Sequence, residues 1–281
     1  MRCLLLTLAL FGCEAELADP DSVPGASGDL ALRTELLSGV YRDGAWVLSL
    51  LLTDNDGVPL DGGSRSFSAF VGTEQVPSRA ARLDEGGDGV AVAVVMDDAS
   101  AGRTLSAVRN LIAQLQPPYE VEVVRVAGEV AVIAPFGHPA PLDVLSTPVG
   151  GSGRRLYDGL MRAIDDTSRQ EAPLRLVWLL ASGADEGSAA NAEAVRDAAR
   201  DAQVTLIAVG TGTATPSWMK TFARAHRYAP NALAFSSAAA STSGVLAGVW
   251  QVVATAPRDA VVDVRYLGEG DTRELEFPTD R

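Results

Sequence analysis

The fold is decided by residues 89–115, which read GVAVAVVMDDASAGRTLSAVRNLIAQL. The first part is an apolar run without polar alternation, typical of a strand that is buried on both faces in a helix-covered parallel sheet. An acidic, hydroxyl-bearing turn follows at residues 97–102, and then an amphipathic stretch that predicts a helix over residues 103–116. The turn therefore lies at the carboxyl end of a central strand, where open α/β sheets bind their ligands.

Two later segments repeat this layout. Residues 174–180 (LRLVWLL) run into the turn ASGADEG, and residues 204–209 (VTLIAV) run into GTGT. Each turn is followed by a predicted helix, over residues 188–202 and 217–226. Alternation of buried strands and helices predicts an α/β fold with a doubly wound, mostly parallel sheet. Further helices are predicted over residues 155–166 and 243–253, a hairpin over 121–126 and 130–134, and a short strand at 232–235.

Three loop sequences resemble, in order, the motifs of von Willebrand factor A (VWA) domains. The family has Asp-x-Ser-x-Ser, Gly-Gly-Thr-x-Leu-Tyr-Asp-Ala-Leu and Leu-Leu-Thr-Asp-Gly; this chain has DDASA at residues 97–101, GGSGRRLYDGL at 150–160 and LLASG at 179–183. The resemblance spans roughly residues 88–254. It implies a Rossmann-like sheet whose loops hold a divalent cation, Mg²⁺ or Mn²⁺, completed by a carboxylate of a protein ligand.

The chain departs from the family's ligand set in all three loops. With Asp97 as the first ligand, both serine positions hold alanine; with Asp98, Ser100 fits and the second serine is lost. Arg154 replaces the middle threonine, and Ser182 replaces the third aspartate. Since Mg²⁺ needs a near-octahedral oxygen shell, these losses indicate a degenerate site that holds no metal and no cofactor.

The three loops together form the surface that we call the top edge: the first loop (residues 97–103), the middle loop (150–155) and the third loop (182–187). Its candidate ligand-binding residues are Asp97, Asp98, Ser100, Ser152, Arg154, Arg155, Ser182 and Asp185.

Three readings of these residues stay open at the sequence level. The turn residues can simply cap helices, as Asp and Ser often do. Asp98, Ser100, Ser152 and Asp185 can form a weak, rearranged cation site. Alternatively, the guanidinium of Arg154 or Arg155 replaces the cation, pairs with an aspartate of the first loop, and recognises an acidic partner group directly.

Charge and composition exclude several function classes. The chain has 281 residues and a net charge of −13, so its surface repels nucleic acid and anionic headgroups. Two cysteines, Cys3 and Cys13, both lie at the N-terminus, and two histidines cannot form a zinc site alone. GTGT lacks the third glycine of a dinucleotide fingerprint, and the middle loop lacks a P-loop lysine, so no nucleotide partner is expected.

The N-terminus reads MRCLLLTLALFGC and resembles a bacterial lipoprotein signal. Its apolar run is too short to span a bilayer. We expect a signal peptide at residues 1–12, lipidation of Cys13, and a flexible tether over residues 13–28. The protein is then anchored to the cell envelope by lipid, periplasmic or surface-exposed; the alternative is a secreted protein.

Two flanking segments alternate apolar and polar residues, as half-buried strands do. Residues 29–86 predict the first part of a small immunoglobulin-like β domain, and residues 257–281 predict a hairpin that completes it. The VWA domain, residues 87–256, is then inserted between them.

The resulting prediction is a non-catalytic, protein-binding module at the bacterial cell envelope that uses the top edge of a VWA domain without a cation. The alternatives are cation-dependent adhesion, a serine hydrolase that uses a serine of these loops, and a structural subunit of an envelope assembly.

Overall fold

The computed structural model describes residues 33–53, 67–86, 89–98, 108–109, 118–137, 149–211, 225–229, 238–239, 246, 248–268 and 271–277. Several predictions lie outside these residues: Cys13 with the signal and tether, Ser100, nearly all of the helix at 103–116, and the strand at 232–235.

Fourteen strands and three helices are described, numbered in chain order. The strands are β1 (Arg33–Arg42), β2 (Ala45–Thr53), β3 (Phe67–Val71), β4 (Glu74–Val76), β5 (Ser78–Arg82), β6 (Val90–Asp97), β7 (Tyr119–Val126), β8 (Val130–Gly137), β9 (Leu174–Ala181), β10 (Thr205–Thr211), β11 (Ala225–Ala229), β12 (Val249–Ala254), β13 (Val262–Gly268) and β14 (Asp271–Phe277). The helices are α1 (Leu83–Gly86), α2 (Leu156–Ser168) and α3 (Ala192–Asp201).

A six-stranded sheet with the order β11-β10-β9-β6-β7-β8 forms the α/β unit. All its neighbours run parallel except β7 and β8, which form the predicted antiparallel hairpin. All eight residues of β6 are buried, as its unbroken apolar run predicts. The predicted α/β fold with a largely parallel sheet is therefore confirmed.

The predicted helices at residues 155–166 and 188–202 are confirmed as α2 and α3. Helix α2 buries Leu156, Leu160 and Ile164, which recur at helical spacing and pack on the sheet. It approaches the sheet closely at Gly159, where an added Cβ would lie 2.3 Å from Cγ1 of Val126. Its N-terminus is thereby fixed next to the carboxyl ends of β6 and β9.

Two four-stranded antiparallel sheets form the rest of the described structure, with the orders β1-β2-β12-β5 and β14-β13-β3-β4. They share one apolar cluster, to which β2 contributes Leu48, Leu50 and Leu52 from one face and β13 contributes Val262 and Val264. The C-terminal hairpin thus lies in a sheet with β3 from the N-terminal segment. The immunoglobulin-like topology and the domain boundaries stay predictions.

Two helix predictions are wrong where the structure describes them. Residues 249–253 of the predicted last helix belong to β12, which lies between β2 and β5. Trp250 and Val252 alternate with buried residues of the opposite face, so both faces of this strand are covered. Ala225 and His226, at the end of the helix predicted over 217–226, belong to β11 and pair in parallel with β10.

The four-stranded sheet β1-β2-β12-β5 contacts the amino-terminal end of the six-stranded sheet. The hydroxyls of Ser38 and Ser49 donate to the carbonyl of Pro173, which directly precedes β9. Thr205, the first residue of β10, donates to the carbonyl of Leu37 at 3.3 Å. Because these contacts lie at the amino ends of the parallel strands, the top edge lies at the opposite end of the sheet.

Candidate functional site

The first loop begins with a fully buried carboxylate. Asp97 ends β6 and has 0% exposure. Its Oδ2 accepts two hydrogen bonds from Ser182 of the third loop, from the backbone N–H at 2.7 Å and from the hydroxyl at 2.6 Å. Ser182 stands where the family has an aspartate, and its side chain joins the first and third loops directly.

The next carboxylate is paired with an arginine that the sequence analysis missed. Asp98 forms an ion pair with Arg125 of β7, whose side chain is only 2% exposed, while Asp98 itself is 32% exposed. The other Asp98 oxygen accepts the N–H of Val149 at 3.1 Å, at the entry to the middle loop. A positive charge from the protein therefore lies against the first loop. The signal available in the sequence was an arginine between the buried valines at the end of β7, since a buried arginine requires a partner.

Arg154 contacts the third loop, not the first. Its ion pair is with Glu186, and its Nε donates to the carbonyl of Ala184 at 3.1 Å. The backbones of Arg154 and Glu186 also form an antiparallel bridge, with N···O distances of 2.8 and 3.4 Å. The guanidinium covers Gly183, where an added Cβ would lie 3.0 Å from Cζ. The hypothesis that Arg154 pairs with Asp97 or Asp98 is therefore wrong.

Arg155 likewise pairs within its own helix. Its Nε lies 2.9 Å from Asp158 Oδ2. Asp158 also accepts the N–H groups of Ala189 and Ala190, both at 3.0 Å to Oδ1. Partial burial opposes ionisation of Asp158, but these N–H groups and the guanidinium outweigh it and lower its pKa below the ordinary value. Among the described residues, the cation that pairs with a first-loop carboxylate is Arg125, so the hypothesis is wrong for Arg155 as well.

Asp185 caps helix α2 from outside the helix. Its Oδ1 accepts the N–H of Tyr157 at 3.1 Å, and its two oxygens also accept the hydroxyl and N–H of Ser188. Ser188 Oγ in turn accepts the N–H of Asp158 at 3.1 Å. The residue at the N-cap position, Arg155, makes no side-chain capping bond, so the third loop satisfies the helix end instead.

The middle loop packs backbone to backbone on the β7–β8 turn. A Cβ added to Gly128 would lie 2.7 Å from the carbonyl oxygen of Ser152. Gly151 has φ of +88°, which glycine adopts without strain, and its Cα faces Gly128. Ser152 itself is exposed to solvent. Only glycine at both contact positions allows this loop to approach the turn.

The structure therefore gathers seven of the eight candidate residues at one end of the sheet, and Ser100 lies outside the described residues. Hydrogen bonds and ion pairs join Asp97 to Ser182, Asp98 to Arg125, Arg154 to Glu186, and Asp185 to α2. Within the described parts of the chain, no three His, Cys, Asp or Glu side chains are grouped so as to hold a metal ion. No helix among the described residues is long and apolar enough to cross a membrane.

Comparison with known proteins rests on structure. No family model matches the chain, and no curated protein matches it. Proximal thread matrix protein 1 from the mussel byssus aligns at 16% identity and TM-score 0.52, over 61% of this chain and 49% of its own length. The same mussel protein with a zinc-occupied MIDAS motif gives 15% identity and TM-score 0.53, over 64% and 49%.

A von Willebrand factor type A structure from Catenulispora acidiphila aligns at 11% identity and TM-score 0.49, over 88% of this chain and 72% of its own length. The chain spans about half the length of the mussel protein. At these identities the likeness concerns the fold, and the predicted VWA-like fold is confirmed.

Proposed function

We propose that this protein is a non-catalytic, protein-binding module of the bacterial cell envelope, and that it binds its partner through the top edge without a bound cation. The VWA-like fold supports the binding role. One observation supports the proposal that no cation is bound. Both first-loop carboxylates pair with groups of the protein itself: Asp97 with Ser182, and Asp98 with Arg125.

The described donor set does not fit Mg²⁺ or Mn²⁺. Such an ion needs several hard oxygen ligands at about 2 Å in octahedral geometry. Asp97 has no exposed surface and holds the Ser182 hydroxyl, and Asp185 accepts bonds from the end of α2 and from Ser188. An ion beside Asp98 would also lie close to the Arg125 guanidinium, which repels it.

The partner contacts are then made by the exposed parts of the same loops. Arg154 is 29% exposed and Arg155 39% exposed, while Ser152 and its flanking glycines are open to solvent. Guanidinium groups at this position suit an acidic group of the partner. Hydrogen bonds of Asp185 join the third loop to the start of α2, so this part of the surface is formed before the partner arrives, which lowers the entropic cost of binding.

Two alternative functions, cation-dependent adhesion and serine hydrolysis, differ in the observations that support them. Cation-dependent adhesion is favoured by one observation, the zinc-occupied MIDAS motif of the mussel protein. A serine hydrolase is disfavoured, because the hydroxyl proton of Ser182 is donated to Asp97 instead of to an imidazole base. The lipid anchor at Cys13, the tether and the two-part β domain belong to the same proposal and would place the top edge away from the membrane.

Affinity capture from native envelope tests the proposal, with the full chain as bait and with or without a chelator. We expect one partner protein to be retained equally in both conditions. Ser152→Tyr, which places a bulky side chain on the exposed middle loop, should abolish capture. Arg196→Ala, on the exposed face of α3, should not.

Two outcomes would redirect the assignment. Capture that disappears with chelator would support cation-dependent adhesion. Covalent labelling of Ser152 or Ser182 by a fluorophosphonate probe would support the hydrolase.

A further inference from the structure

The three loops of the top edge are joined to one another by groups of the protein itself. Asp97 in the first loop accepts two hydrogen bonds from Ser182 in the third loop. The backbones and side chains of Arg154 and Glu186 join the middle loop to the third. A divalent ion joins loops by drawing oxygen ligands from several of them to one point. Here these connections are made between protein atoms.

The contact between the first and middle loops depends on Asp98, whose charge is matched by Arg125. Asp98 directly follows β6, and its N–H donates to the carbonyl of Val126 on the adjacent strand β7, at 3.3 Å. One carboxylate oxygen pairs with Arg125, and the other accepts the N–H of Val149 at 3.1 Å. Asp98 therefore contacts both the neighbouring strand and the entry to the middle loop.

Arg125 belongs to the sheet and not to a loop. Its side chain is buried, and it lies between Val124 and Val126, both of which have 0% exposure. Burial of a guanidinium without a counter-charge is costly, so Asp98 and Arg125 hold each other in place. The guanidinium also lowers the repulsion between Asp98 and the adjacent carboxylate of Asp97. The positive charge at the first loop is thus fixed by the fold.

We infer that Arg125 is the fixed cation of the top edge: it supplies the positive charge that a divalent ion would otherwise supply to the first loop, and it keeps such an ion away from Asp98. This inference rests on the proposed cation-free function and names the residue responsible for it. Asp98 is 32% exposed, so a hydrated ion can reach it. Mg²⁺ is often held by one or two carboxylates while it keeps several waters. Without the guanidinium, Asp98 should therefore bind Mg²⁺ or Mn²⁺ at millimolar concentration.

Thermal unfolding of the full chain with and without Mn²⁺ tests this inference. Arg125→Met removes the charge and keeps an unbranched, apolar side chain. In chelator, this variant should unfold at a lower temperature than wild type, because Asp98 loses its counter-charge. Addition of about 10 mM Mn²⁺ should then raise its Tm by about 2–4 °C, the shift expected for a Kd of about 1 mM. The wild-type Tm should change by less than about 1 °C.

Two further variants locate the response to Mn²⁺. Arg154→Met, which removes the ion-pair partner of the exposed Glu186 carboxylate in the same surface, should show no response. Asp98→Asn combined with Arg125→Met removes both charges of the buried pair. This double variant should be more stable in chelator than Arg125→Met and should not respond to Mn²⁺. These comparisons require no partner protein.

Four outcomes would overturn the inference. Arg125→Met responds to Mn²⁺ no more than wild type or Arg154→Met does; it fails to fold both with and without the ion; the double variant keeps the response, so that the ion binds elsewhere; or the double variant is no more stable in chelator than Arg125→Met. Failure of the proposed function is a separate result: a top edge that captures no partner protein would refute that function and leave the Mn²⁺ comparison unaffected.

Discussion

Replacing Glu122 with glutamine should stabilise the protein at alkaline pH and leave it nearly unchanged at acidic pH. Glu122 lies on β7 and is only 3% exposed, and its Oε1 has no hydrogen-bond partner among the described residues. Burial, and next the charge of Asp166 on α2, raise its pKa from 4.5 to about 7, against the opposing effect of Arg162. The buried carboxyl is thus neutral below neutral pH.

The direction and the size of this change in unfolding free energy follow from the difference between the pKa of Glu122 in the unfolded state and its pKa in the folded state. A carboxyl whose pKa is higher in the folded state stabilises the fold fully below pH 4.5, and this stability is lost as the pH rises from 4.5 to about 7. The loss amounts to at most about 3.4 kcal/mol, at 1.36 kcal/mol for each unit of pKa. Relaxation around the charged group reduces this value, so an effect of about 2–3 kcal/mol is expected at pH 8.

Urea denaturation at pH 4.5 and pH 8 measures the effect. Glu122→Gln should be more stable than wild type at pH 8, and the fall in unfolding free energy between the two pH values should shrink. Glu120→Gln, on the same strand but exposed, is the matched control and should keep the wild-type pH dependence. The reasoning is refuted if Glu122→Gln shows the wild-type dependence or is the less stable protein at pH 8.

Two further variants, each compared with a control variant, test the packing of the top edge. Gly128→Ala should lower the unfolding free energy by about 1–3 kcal/mol, because its Cβ meets the backbone of the middle loop at 2.7 Å, whereas Gly150→Ala, with no atom within 4 Å, should change it by less than about 0.5 kcal/mol. Chemical denaturation compares them, and equal effects would contradict the described contact. Asp185→Ala should cost about 1–2 kcal/mol, since it removes the cap of α2, while Glu186→Ala, which removes a surface ion pair, should cost less than about 1 kcal/mol. The reverse order in thermal unfolding would show that Asp185 does not cap the helix.

The α/β sheet was predictable because its signals are local. An unbroken apolar run such as β6 indicates a strand buried on both faces, and Leu156, Leu160 and Ile164 recur at helical spacing. The β12 segment carries no comparable signal: its apolar residues fit a helix as well as a strand. Its strand conformation is set by pairing with β2, about 200 residues earlier in the chain, which periodicity does not reveal.

The candidate site was predictable in position but not in its pairings. The loop motifs placed Asp97, Asp98 and Ser182 at one edge, and the parallel sheet brings them there. Which arginine pairs with which carboxylate depends on the directions of side chains on neighbouring strands and loops. Arg125, which lies on β7 outside the loop motifs, was therefore overlooked, while Arg154, within the middle-loop motif, was assigned the wrong partner.

The cation-free top edge is tested most directly by isothermal titration calorimetry of the full chain with Mg²⁺ and with Mn²⁺. Because Ser182 and Arg125 already satisfy the two first-loop carboxylates, neither ion should give a saturable binding signal up to millimolar concentration. Stoichiometric binding of either ion with micromolar affinity, lost in Asp98→Asn, would contradict the account.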